Sequence, residues 1–87
     1  MISGKTETGF EFNIDKRVLE DWNFVELLAK ADEGDLSASI RAFKMLLGED
    51  QYNNLKTHLT DKDGFLSSES MSEALVEIMT STQDLKN

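Results

Sequence analysis

The segment from Leu46 to Leu75, LLGEDQYNNLKTHLTDKDGFLSSESMSEAL, carries a helix stop, a helix start, a chain reversal and another helix start in one uninterrupted stretch. Gly48 closes the helix before it. Glu49 and Asp50 follow at once, where carboxylates favour the N-terminal end of a helix dipole. Tyr52, Leu55 and Leu59 then recur at spacings of three and four, the apolar face of a helix. Asp63-Gly64 is a turn dipeptide, and Ser67 or Ser68 caps the helix that Met71, Leu75, Ile78 and Met79 stripe. Elements separated by such tight breaks fold back on one another as a small bundle.

The rest of the chain extends this pattern. Phe10, Phe12 and Ile14 alternate with Glu11 and Asn13, which reads as a short strand with one apolar face. Thr8-Gly9 can turn it into a hairpin with the Thr6 region. A lone hairpin is marginal in water, so it must lie on the helices or on another subunit. Asp15 is a plausible N-cap for a helix whose stripe is Val18, Trp22, Val25, Leu28 and Ala29, with Trp22 in the core. A break is expected near Trp22-Asn23, because Asn23 is a poor interior residue and a fair cap. Gly34 ends this helix, and Asp35 or Ser37 caps the next, striped by Leu36, Ile40, Phe43 and Leu47. The expectation is a mainly α domain spanning residues 1–87, a bundle of about four helices with a short N-terminal β-strand or hairpin. Residues 1–14 form the β element or stay partly disordered, 15–80 form the helical core, and 81–87 form a polar, frayed tail.

Composition limits function more than fold. The 87 residues include no cysteine, so no disulfide, Cys-based zinc site or thiol nucleophile is available. No apolar run reaches the roughly 18 residues of a membrane span, and the first residues lack the apolar segment of a signal peptide. A soluble, cytoplasmic protein is expected. The net charge of −8 repels nucleic acid and anionic lipid. That charge is uneven. Leu36 to Thr60 holds three basic and two acidic residues, whereas the segments on either side are strongly acidic. An acidic partner would dock first on this middle third.

Each candidate chemical site fails on its residues. Aligning Asp61-Lys62-Asp63-Gly64 with a calcium loop puts Gly64 at the sixth position. Leu59 and Ser70 then stand where the first ligand and the bidentate glutamate are needed, so the segment is a plain turn. His58 is the only histidine and cannot build a zinc site alone; a place near a helix C-terminus accounts for it. The glycines match neither a dinucleotide fingerprint nor a phosphate-binding loop. Asp35-Leu36-Ser37 has the residues of an acyl-carrier attachment site in the wrong order, so the serine serves better as a cap. A helix-turn-helix built across Gly48 would aim Glu49 and Asp50 at phosphates. No catalytic, cofactor or metal residues are therefore assigned. What remains is a surplus of apolar side chains for so small a core. Phe24, Phe43, Met45, Leu46, Tyr52 and Met79 are the candidate partner contacts, with the methionines offering an adaptable surface.

The order of these elements resembles that of tail assembly chaperones of long-tailed (siphovirus-type) phages or prophages of Gram-positive bacteria. The resemblance rests on Phe10-Glu11-Phe12 with Ile14-Asp15 and on Asp21-Trp22 followed by Val25-Glu26-Leu27-Leu28-Ala29. It continues through Leu46-Leu47-Gly48-Glu49 with Gln51-Tyr52 and Leu55-Lys56, and through Asp63-Gly64 and Met71-Ser72-Glu73 with Ile78. It covers about Phe10 to Met79, and its motifs are structural. It implies a non-enzymatic protein without cofactors that binds the tape-measure protein, keeps it soluble and helps recruit major tail-tube subunits. It further implies action in the host bacterial cytoplasm, absence from the mature virion, a tendency to self-associate, and a longer form made by ribosomal frameshifting. The alternative reading is a small acidic regulator or inhibitor that binds a basic protein.

Overall fold

Residues 1–84 are described by the computed structural model, with side chains as far as Thr82. Two strands and four helices follow in order: β1 (Ile2–Lys5), β2 (Glu11–Ile14), α1 (Lys16–Leu19), α2 (Trp22–Asp32), α3 (Leu36–Leu59) and α4 (Ser68–Asp84). The protein is thus mainly α, a small helical bundle with an N-terminal antiparallel hairpin.

The strands pair in the register Ile2↔Ile14, Ser3↔Asn13, Gly4↔Phe12 and Lys5↔Glu11. Their loop closes on Thr6. Its N–H donates to the Phe10 carbonyl at 2.9 Å, and its hydroxyl accepts from the Phe10 N–H at 3.1 Å. That satisfies a side chain the fold buries. Gly4 stands opposite Phe12 because the ring lies across it. A Cβ on Gly4 would come within 2.5 Å of Phe12 Cζ. The period-two alternation expected for Phe10, Phe12 and Ile14 holds, and all three are buried. The amide of Gln51 occupies the outer edge of β2. Its Oε1 accepts from the Asn13 N–H at 2.7 Å, and its Nε2 donates to the Asn13 carbonyl at 2.6 Å. The hairpin therefore lies on its own helices: α3 packs on β2 and α4 on β1.

Local chemistry sets each helix boundary. Asp15 Oδ1 accepts from the Arg17 N–H at 2.9 Å and starts α1. The expected break is present and falls at Glu20-Asp21, just before Trp22. Asp21 is the cap, with Oδ1 accepting from the Asn23 N–H at 2.8 Å, because its carboxylate outcompetes the Asn23 amide at that end. At the end of α2, Gly34 has φ +100°. The Asp35 N–H bonds the Lys30 carbonyl and the Gly34 N–H that of Ala31, the paired closure of a helix ending in a left-handed residue. Asp35 then caps α3, its Oδ1 accepting from the Ala38 N–H and from the Ser37 hydroxyl, both at 3.1 Å. Of the two candidates, Asp35 is the cap and Ser37 supports it. Ser67 starts α4, its hydroxyl oxygen accepting from the Glu69 and Ser70 N–H groups. The helix runs on to Asp84, so Ser81 to Asp84 are helical where a frayed tail was expected, and Thr82 is buried. Residues 85–87 lie outside the described residues.

Asp35 also makes folding pH-dependent. The Ala38 N–H, and after it the Ser37 hydroxyl, hold its carboxyl below the ordinary value of 3.8. The Asp15 carboxyl is lowered as well, chiefly by the Arg17 side chain. A carboxyl lowered on folding contributes stability above its unfolded pKa and loses it as pH falls through the folded value. The melting temperature should therefore decline on acidification below about pH 4. An Asp35→Ala variant should start lower and decline less steeply, as read from melting curves across pH.

Gly48, at φ 80° and ψ 157°, breaks the helical backbone within α3, so Leu36–Leu59 is two helical stretches joined at a kink, where the expected stop and restart fall. Only glycine adopts this region readily. A Cβ there would meet no atom within 4 Å, so substitution is resisted by the backbone and not by crowding. Gly48→Ala is expected to cost about 1–3 kcal/mol in urea unfolding.

Two expected helix faces are rotated. On α2, Trp22 is 70% exposed, and Val25 and Ala29 are exposed too. The buried side chain is Phe24, with Leu27 and Leu28 packed beside it. Trp22 is thus a surface residue and not part of the core. On α3, Leu36 and Ile40 face out, while Ala38, Ala42 and Leu46, spaced by four, are buried. α3 packs most extensively on α2, and helix separation depends on side-chain size at the contact, so small buried side chains such as Ala38 and Ala42 suit close packing. Of the expected stripe, Leu47 is buried and Phe43 packs against the core, whereas Leu36 and Ile40 are displaced to the surface.

Candidate functional site

The displaced stripe forms one wall of a groove. Leu36, Ile40 and Phe43 on α3 face Met71, Leu75 and Val76 on α4, and the cavity between them is about 540 Å³. Tyr52, just past the Gly48 kink, and Leu66, in the loop before α4, also line it. Serines 39, 67, 68 and 72 supply its few polar groups. The Gly48 kink lets one helix contribute both Phe43 and Tyr52, on either side of the break. Leu36 is 74% exposed, Val76 63% and Ile40 41%, so large apolar groups meet solvent on both walls. Exposed apolar side chains gathered in one groove are the feature by which a partner-binding surface is sought. Burial pushes the Tyr52 phenol up, and the Lys44 ammonium lies 5.7 Å from its ring centroid.

The structure divides the six candidate contacts. Phe43 and Tyr52 line the groove. Phe24 and Leu46 do not; both are core residues at 1% and 2% exposure, whereas Tyr52 belongs to the core at 7% and still lines the groove. Phe24 is drawn inward because α2 turns it toward α3, and Leu46 continues the alanine stripe. Met45 and Met79 are partly buried against the core and lie away from the groove lining. Leu36, Ile40, Leu66, Leu75 and Val76 were not among the candidates. The signal for two of them was present. The first half of α3 carries two apolar stripes, and only one can face α2.

Other candidate chemistry becomes structural. Asp61 Oδ1 accepts from the Asp63 and Phe65 N–H groups at 2.9 and 3.0 Å, which uses the carboxylate to build the turn. His58 Nε2 lies 3.0 Å from the Thr8 carbonyl oxygen, and its ring centroid is 5.7 Å from that of Phe10. The ring therefore donates an N–H to the hairpin loop. Glu77 helps from α4, accepting from the Glu7 N–H at 2.8 Å. Together these contacts fasten the tip of the hairpin to the two long helices. Among the described residues no helix is long and apolar enough to cross a membrane. Comparison with protein-family models, curated proteins and solved structures finds no match to this chain.

Proposed function

We propose that this protein is a tail assembly chaperone of a long-tailed phage or prophage. It holds helical segments of the tape-measure protein in the α3–α4 groove and keeps them soluble in the host cytoplasm until tail-tube subunits assemble. The supporting observation is the groove itself: an apolar channel between two helices on a strongly acidic protein. An amphipathic helix binds such a channel through apolar residues at i, i+3, i+4 and i+7. The surrounding charge keeps the complex dispersed. The role requires binding and release only, and no residue is assigned to catalysis.

Co-expression tests the reading. A tape-measure protein encoded immediately downstream should move from the insoluble to the soluble fraction and co-purify with this chain. A tape-measure protein that stays insoluble and unbound removes the proposal. Soluble capture of a basic protein in its place supports the regulator reading.

A further inference from the structure

Two lips of opposite charge border the groove. On α3, Arg41 and Lys44 are exposed on the solvent side of the stripe of Leu36, Ile40 and Phe43. The Lys44 ammonium lies 5.7 Å from the centroid of the Tyr52 ring, which lines the groove. On α4, Glu69 and Glu73 stand three residues before Ser72 and Val76, and residues three apart are neighbours on a helix surface. Glu73, Glu77 and Glu7 surround a shallow depression that shares Ser72 and Val76 with the groove. None of Arg41, Lys44, Glu69 and Glu73 enters an ion pair among the described residues, where the ion pair present joins Arg17 to Asp15. Arg41 is nevertheless near enough to Asp35 to help lower its carboxyl, a weaker influence than the Ala38 and Ser37 hydrogen bonds.

Building on the groove as the binding site, we infer that its occupant is an amphipathic helix with a charge-segregated surface. Acidic residues flank one side of its apolar stripe and basic residues the other. Turning such a helix end for end exchanges its flanks. One direction sets carboxylates against Arg41 and Lys44 and ammonium groups against Glu69 and Glu73. The opposite direction sets like charges together, which is unfavourable. Charge order therefore selects the direction in which the helix lies, as flanking charges select partner and orientation in coiled coils. A second copy of this chain fits less well, because two concave grooves face to face leave a void between them.

Two synthetic peptides of identical composition and identical leucine stripe provide the test. One carries lysines along one flank and glutamates along the other; in the second the same residues are mixed on both flanks. The segregated peptide should bind about tenfold tighter at low salt. The difference should close at about 1 M salt, where screening acts over about 3 Å. A Glu69→Lys/Glu73→Lys variant, checked as folded by circular dichroism, should lose the preference. A nitroxide at the peptide N-terminus should broaden amide signals near Leu36 or near Tyr52, but not both. Equal binding of the two peptides, abolished by Val76→Asp, overturns the charge order and leaves the groove standing as the binding site. Failure of both peptides to bind removes the groove reading and this inference with it. A dimer of the chain alone that Val76→Asp dissociates makes a second copy the occupant and overturns the inference.

Discussion

Phe12→Ala is expected to lower the unfolding free energy by about 3–5 kcal/mol. Small domains have only about 5–15 kcal/mol in total, so the variant should sit at the edge of folding. Phe12 is 1% exposed, and its ring lies across Gly4 on the partner strand. Truncation would open a cavity, uncover the glycine backbone and remove one of the three buried side chains, with Phe10 and Ile14, that β2 and its approach contribute to the core. A two-stranded hairpin is not stable by itself, so its docking to the bundle is what preserves it. Urea unfolding followed by far-ultraviolet circular dichroism should show the lower midpoint. Phe65→Ala, at an exposed position in the loop before α4, should leave the midpoint nearly unchanged. Equal effects of the two substitutions would contradict the placement of Phe12 in the core.

The paired substitution Ile40→Asp and Val76→Asp should have the opposite profile. Both side chains already face solvent in the groove, so the melting temperature should change little. Each carboxylate would become buried and unpaired beneath a bound helix, which is costly. Binding of a tape-measure segment should weaken by about 30-fold or more, the ratio that corresponds to the loss of about 2 kcal/mol at a central contact. In co-expression the partner should return to the insoluble fraction while the variant stays soluble. Retained binding by a folded double variant would place the contact surface elsewhere. Phe24→Ala and Leu46→Ala make poor tests of binding, since both residues are in the core and their loss acts through stability.

Most element boundaries were legible because they depend on neighbours in sequence. Asp15, Asp35 and Ser67 cap helices through their own side chains. Gly34 ends α2 by taking a backbone conformation that other residues avoid. Alternation placed Phe10, Phe12 and Ile14 on one face, since a strand has only two faces to choose between. The binding face was harder to read. On α3, Leu36, Ile40 and Phe43 make as good a stripe as Ala38, Ala42 and Leu46, and size alone favoured the larger residues for the core. The same bias assigned Trp22 to the interior. Large apolar residues are often buried, but exposed ones are common, so hydrophobicity alone does not identify a face.

The sequence by itself determined where most of the chain's turns fall, which few residues could cap its helices, and that these 87 residues hold no cysteine and a single histidine. Those properties are local or compositional. Only the tertiary structure decided which apolar stripe became core. α3 packs chiefly on α2, and Ala38 and Ala42 are among its buried residues. With that contact made, the helix geometry left Leu36, Ile40 and Phe43 facing α4 across an open channel. The groove is what remained exposed once helix packing had used the smaller face.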